Sequence, residues 1–325
     1  MSKNSLHAQL DAVVGAAQIH ANAPLAPLTT FRVGGPAEWL VDVRTTAQLT
    51  GVLRAAAAEG VPVTVLGGGS NVVIADAGVR GIVLRVQLTG IGQPDPAHVR
   101  AEAGVTINGL VRWTISHGLA GLEAWAGTPG TVGGAIFGNA HFGGRNIGDL
   151  VTAAMLVTPA GDSGTVPAAE MEFAYDTSRL KRTREVLAWA EFGVAPSAPD
   201  ALRLTARASL AYRKGTQPLA MPSAGCVFQN PDPAHDRLPD GVPWSAGALV
   251  DRAGLKGHRI GGARISSDHA NFIVNDGQAT AKDIRALVER ARAAVRDRFG
   301  VELRDEVVFL GNEESEGGEG NEEKR

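Results

Sequence analysis

Apolar residues recur at helical spacing in several stretches of the chain and alternate at strand spacing in others. Leu6, Leu10, Val13 and Val14 mark a short amphipathic segment, which predicts an N-terminal helix within residues 1–24. Thr45 followed three residues later by Gln48 is a capping-box pattern, and Leu49, Val52, Leu53 and Ala56 mark one helical face that Gly60 ends. Thr106 caps a second such run (Ile107, Leu110, Val111, Ile115), and Asp200 opens a third through Leu202, Ala206 and Leu210. A short helix follows Ser245, and Thr280 opens a long one through Ile284, Leu287, Val288, Ala291 and Val295 to Gly300. Strands are expected around Trp39–Val41 and over residues 81–86, 99–105, 151–157, 186–194, 269–275 and 301–310.

Two glycine-dense regions break this pattern. In the first, a β-branched run ends in Gly67-Gly68-Gly69-Ser70-Asn71 and a second β-branched run follows. Glycines permit positive φ and close backbone approach, so consecutive amides could form a nest for a phosphate or diphosphate. A plain hairpin turn explains the triplet equally well. It lacks the G-x-G-x-x-G and Gly-Lys-Ser/Thr patterns that lead from strand into helix. The second region, residues 121–139, holds glycines too often for a regular core helix and suits a backbone-lined ligand wall.

Composition narrows the function classes. A net charge of −3 without a basic block argues against a general nucleic-acid surface. No apolar run reaches the roughly 18 residues a membrane helix needs, and no basic head precedes an apolar core at the N-terminus. The single cysteine cannot form an internal disulfide, which fits a reducing cytoplasm, and a monomer is expected. The eight histidines show no metal-ligand spacing. Residues 312–325 are acidic, glycine-rich and nearly free of apolar groups, so a disordered tail is expected there. The texture changes at Gln217-Pro218, a candidate domain boundary.

Several motifs stand in one order: Thr29-Thr30-Phe31-Arg32-Val33-Gly34-Gly35-Pro36-Ala37, the Gly67–Asn71 loop, and Ala126-Gly127-Thr128-Pro129-Gly130-Thr131-Val132-Gly133-Gly134-Ala135. They continue with Ser223-Ala224-Gly225-Cys226-Val227-Phe228-Gln229-Asn230-Pro231, Gly254-Leu255-Lys256-Gly257-His258-Arg259-Ile260-Gly261-Gly262-Ala263 and His269-Ala270-Asn271-Phe272-Ile273-Val274-Asn275. From about residue 28 to 311 the chain resembles the bacterial UDP-N-acetylenolpyruvoylglucosamine reductases, in their shorter subtype. The resemblance implies an α+β fold: a two-part FAD-binding domain of the oxidase type (residues 25–90 and 91–215) and a smaller α/β substrate-binding domain (216–311). It implies that NADPH reduces the flavin, which passes hydride to the enolpyruvyl double bond of a UDP-sugar. Gly67, Gly68, Gly69, Ser70 and Asn71 would then hold the FAD diphosphate, and Gly127, Thr128, Pro129, Gly130, Thr131, Gly133, Gly134 and Asn139 would lie along the flavin.

The resemblance also implies a proton donor, an arginine and a glutamate, matched here unevenly. Cys226 stands where the family has a serine donor, and Gln229 stands in place of a lysine. Glu306, in Leu303-Arg304-Asp305-Glu306-Val307, matches the catalytic glutamate. The family's Tyr-Arg-x-Ser reads Tyr175-Asp176-Thr177-Ser178, so an acid occupies the arginine position. Arg179 is the candidate replacement, with Arg182 and Arg184 behind it. Gln229, Asn230, Asn271, Tyr212 and Arg213 are the implied substrate contacts; His141 and Phe142 mark a flavin-side turn that departs from the family, and His269 reads as a structural hydrogen-bonder. A flavin-dependent alcohol or sugar oxidase of the same fold, and a decayed FAD-binding relic, are the alternatives.

Overall fold

The computed structural model describes residues 3–311, so the expected acidic tail lies outside the described residues. Helix α1 (Lys3–Val14) buries Leu6, Leu10 and Val14 in a cluster shared with Leu49, Val52 and Leu53 of α2 (Thr46–Glu59). The N-terminal expectation covers only part of residues 1–24: Ile19–Pro24 is a strand, antiparallel to Pro36–Val43. Only Ile19 and Ala23 of that strand are buried, so it shows no alternation to read. Thr45 caps α2 by accepting the Gln48 N–H, and Gly60 ends it at φ 65°. Positive φ favours glycine there.

The glycine loop is not a hairpin. Val63–Leu66 pairs in parallel with Val79–Val86, whereas Val72–Ile74 leaves that sheet and pairs in parallel with Val308–Leu310. Residues 67–71 therefore carry the chain from one sheet to another, and Val308 is brought against the loop, its N–H donating to the Asn71 carbonyl.

A second, antiparallel sheet runs in the order Ser163–Pro167, Val151–Val157, Val186–Gly193, His98–Glu102, Ile91–Asp95. Helix α3 (Ile107–Ser116) is capped by Thr106 as its sequence predicts. The second glycine region contains a short helix, α4 (Val132–Phe137), against expectation. Thr131 caps it, and burial of Val132, Ala135 and Ile136 offsets the poor helix propensity of its glycines. The five-residue helix α5 (Arg179–Thr183) follows, and then α6 (Pro199–Thr216), which starts on Pro199 with Asp200 in its first turn instead of at its cap.

Beyond residue 217 the chain builds α7 (Ala246–Arg252), a sheet ordered Arg259–Ile260, Ala263–Ile265, Ile273–Asn275, and α8 (Ala281–Phe299). Thr280 and Asp283 close a reciprocal capping box, and Gly300 ends α8 at φ 70°. Ile284, Leu287 and Val288 are buried with Leu249, Ile265 and Ile273, each such side chain contributing about 1.5–3 kcal/mol. Phe31, Val33 and Val73, from far earlier in the chain, join the same cluster.

The expected strand over residues 301–310 is shorter. Only Val308–Leu310 is a strand; the preceding segment bonds to residues 227–229, through Gln229 N–H to Arg304 carbonyl (2.9 Å) and Glu306 N–H to Val227 carbonyl (2.8 Å). Val301, Leu303 and Val307 are buried, which produced the alternation without a strand. Among the described residues no helix is long and apolar enough to cross a membrane.

Candidate functional site

A cavity of about 550 Å³ lies between the two glycine regions and the segments carrying Asp176, Lys181, Cys226 and Glu306. That size suits a cofactor or a substrate. The glycine loops face each other at backbone distance. A Cβ on Gly68 would come 2.7 Å from Gly130 Cα, and one on Gly67 would come 2.8 Å from Thr131 Oγ1. Gly69, at φ 61°, lies against Leu28 and Thr29, where a Cβ would come 2.1 Å from a carbonyl. The N–H groups of Gly68, Gly69 and Ser70 donate to no protein acceptor among the described residues. A cluster of successive free amides of this kind fits an anionic ligand such as a diphosphate.

Gly67, Gly68, Gly69, Ser70, Asn71, Thr128, Pro129, Gly130, Thr131, Gly133 and Gly134 line the cavity together. Gly127 and Asn139 are not among the lining residues. Gly127 donates its N–H to Asn108 Oδ1 (2.7 Å). Buried Asn139, at φ 46°, accepts from Gly148 N–H (2.9 Å) and donates to the Ala174 carbonyl (2.8 Å), bracing the turn that leads to Asp176.

Cys226 and Glu306 share the cavity wall because the 227–229 and 304–307 segments are bonded to each other. Asn271, expected to touch substrate, is buried behind them. It accepts the Phe228 N–H (2.9 Å) and donates to the Phe228 carbonyl (2.8 Å). Burial pushes the Cys226 thiol up to about 12, and the nearby Glu306 carboxylate adds to the shift. A free thiol is more acidic than a hydroxyl, and this shift removes much of that difference. Burial also pushes Glu306 up to about 8; Asp176 raises it further and Lys181 opposes both. At neutral pH both groups hold their protons.

Lys181 is a cation at this wall that sequence reasoning missed. Its ammonium pairs with the Asp176 carboxylate (3.2 Å), donates to the Asp176 main-chain carbonyl, and lies 5.6 Å from the Phe137 ring. Asp176 adopts φ 50° and also accepts from Gln229 Nε2 (2.6 Å). The structure does not bring Arg179 to the cavity. Its guanidinium grips Glu185 in a fork, Nε to Oε2 at 2.8 Å and a terminal nitrogen to Oε1 at 3.1 Å. Arg182 pairs with Glu172 (2.7 Å), while Arg184 borders the cavity. An acid five residues before a lysine was the one available signal for Lys181, and it is weak without the left-handed conformation of Asp176.

The other expected substrate contacts, Asn230, Tyr212 and Arg213, are not among the lining residues. Asn230 donates its N–H to the Tyr175 hydroxyl (3.3 Å) and accepts from Ala246 N–H at the start of α7 (3.1 Å). Exposed Tyr212 meets the Phe142 ring edge-on at 5.9 Å. Arg213 is buried over the same ring (3.7 Å) and donates to Thr128 Oγ1 (2.8 Å); burial lowers its pKa. His141, lowered by burial, packs against Tyr175. His269 accepts the Asn271 N–H (3.2 Å) and lies away from the cavity lining, as a structural residue would. No group of His, Cys, Asp and Glu among the described residues could hold a metal ion.

The fold of the first 216 residues and the glycine-lined cavity define a flavoprotein of the FAD-binding class, and the FAD binding domain pattern matches residues 37–165. The pattern for the UDP-N-acetylenolpyruvoylglucosamine reductase C-terminal domain matches residues 217–310. The chain is 40% identical over 292 residues (89% of this chain, 91% of the relative) to UDP-N-acetylenolpyruvoylglucosamine reductase 2 of Symbiobacterium thermophilum. It is 43% identical over 291 residues to the reductase of Anaeromyxobacter dehalogenans, covering 89% of this chain and 85% of that one. The crystal structure of the Thermus caldophilus reductase superposes with a TM-score of 0.73 at 32% identity, covering 89% of this chain and 97% of that one. The chain belongs to the UDP-N-acetylenolpyruvoylglucosamine reductase family.

Proposed function

We propose that this protein reduces the enolpyruvyl group of UDP-N-acetylglucosamine enolpyruvate to UDP-N-acetylmuramate, a step of peptidoglycan precursor synthesis, with FAD as cofactor and NADPH as reductant. One observation carries the reading: Cys226 and Glu306 share a wall of the cavity whose other side is the glycine cradle. Bound FAD would supply the hydride chemistry, with NADPH as the source of the hydride. The residues do the rest. The unpaired amides of Gly68, Gly69 and Ser70 hold the diphosphate, and Thr128 to Gly134 keep the flavin side free of bulky side chains.

Hydride addition to an enol ether carboxylate leaves negative charge next to the carboxylate, so the site needs a proton donor and positive charge. Cys226 Sγ–H gives that proton. The thiolate left behind is strongly basic, because its acid lies near 12, and it recovers a proton quickly. Glu306, still protonated near neutrality, supplies that proton and takes one back from water. Arg213, buried without a carboxylate partner among the described residues, together with Tyr212 and Asn230, forms the rim that receives the anionic UDP portion. Gln229 acts at one remove, through Asp176.

Anaerobic NADPH oxidation by the yellow protein tests the reading. Oxidation that requires the enolpyruvyl UDP-sugar supports it. Oxygen-dependent turnover of an alcohol, or bound FAD with no turnover, overturns it.

A further inference from the structure

We infer that the Lys181 ammonium, held in place by Asp176, is the cation that meets the substrate carboxylate and the charge developing beside it. Lys181 is then a catalytic residue and Asp176 its positioning residue. The inference rests on the reductase reading above and assigns it the positive charge that Cys226 and Glu306 cannot provide.

Three observations converge on Lys181. It lines the same cavity as Cys226 and Glu306. Asp176 holds the ammonium twice, hydrogen-bonded through its main-chain carbonyl and ion-paired through its carboxylate (3.2 Å), and an ammonium has three donors. The third remains for a substrate oxygen. A long flexible side chain would lose much rotamer freedom on binding, and Asp176 removes that freedom beforehand. Asp176 is itself fixed: its carboxylate is 5% exposed, it accepts from Gln229, and Asn139 braces the turn before it. The left-handed conformation at Asp176 aims its carboxylate and its carbonyl at one ammonium.

The competing cations are engaged elsewhere or differently held. Arg179 is forked on Glu185, and Arg182 is on Glu172. Arg184 borders the cavity from an exposed position after α5. The Lys181 pair with Asp176 is also the unit that acts on the Glu306 carboxyl, the acid raising its proton affinity and the ammonium lowering it.

The test uses FAD-loaded holoenzyme. Reduced flavin is mixed anaerobically with the enolpyruvyl UDP-sugar and its reoxidation is followed; sugar binding to the oxidised holoenzyme is measured by calorimetry. Lys181→Met is expected to slow reoxidation about 100-fold while weakening sugar binding less than about tenfold, since the interaction strengthens as charge develops. Lys181→Arg restores the rate to within about tenfold of wild type, and Asp176→Asn loses about tenfold. If Lys181→Met does not retain FAD, Lys181→Gln is read instead, with a loss of at least about tenfold expected. A wild-type reoxidation rate in either neutral variant overturns the inference, as does a large loss in Arg179→Ala or Arg184→Ala that the Lys181 variants do not share. Wild-type protein whose reduced flavin ignores the sugar overturns the reductase reading as well, so the two failures are distinct.

Discussion

The side-chain amide of Asn71 donates a hydrogen bond to the main-chain carbonyl of Glu306 at 3.0 Å. Asn71 is the last residue of the glycine loop, and Glu306 lies two residues before the strand that pairs with Val72–Ile74. One hydrogen bond therefore ties the glycine loop to the main chain of Glu306, across 235 positions of chain.

Asn71→Ala removes this tie. Losing one partly buried hydrogen bond costs about 1 kcal/mol, read as a lower urea midpoint. Turnover is expected to fall about tenfold or more, because a small displacement of Glu306 is costly in a positioned site. Unchanged turnover at reduced stability would restrict Asn71 to a structural role.

Cys226→Ala should lose about 10²–10⁴ in turnover, and Cys226→Ser should keep most of it. Because the half-buried thiol is pushed up to about 12, the native protein is also expected to react with a thiol-specific disulfide reagent far more slowly at pH 8 than the unfolded protein. Fast labelling of the folded holoenzyme would contradict the burial argument.

Glu306 gives stability a distinct pH dependence. Its folded value of about 8 stands above the ordinary 4.5, so the folded state binds more protons between those two values. The stabilisation is complete below about 4.5 and is lost as pH climbs through 8, on the order of a few kcal/mol in all. Asp176 and Lys181 act on this carboxyl in opposite directions, and Tyr175 and Cys226 also feel its charge. Glu306→Gln should flatten that slope, measured as denaturant unfolding at pH 5, 7 and 9 beside wild type, and should lower turnover about 100-fold. An equal slope in both proteins would assign the titration to another group.

The glycines of the cradle should separate ligand loss from fold loss. Gly68→Ala forces the facing loop at Gly130 to retreat and is expected to weaken FAD retention about tenfold, read from flavin absorbance after gel filtration. Gly69→Ala adds a left-handed alanine against the Leu28 carbonyl and should lower the melting temperature as well, through at least about 1–2 kcal/mol of strain. Full FAD content in both variants would remove the cradle assignment.

Much of the chain was legible because the signals are local. Thr45, Thr106 and Thr280 cap the helices that follow them, and Gly60 and Gly300 end theirs, through bonds to residues three or four positions away. The order of glycine and Ser-Ala-Gly-Cys motifs likewise carried the family and its FAD-binding fold. The sequence left the 67–71 loop undecided, since whether Val63–Leu66 and Val72–Ile74 pair with each other depends on strands elsewhere. The tertiary structure decided it by pairing Val72 with Val308. It also drew Arg179 to Glu185 and turned Lys181 back onto Asp176 through a left-handed residue. Neither follows from hydrophobic periodicity, because charge pairing across a short irregular helix depends on backbone direction. Residue types and their order determined what chemistry the protein holds; only the fold decided which cation and which carboxylate share the wall with Cys226.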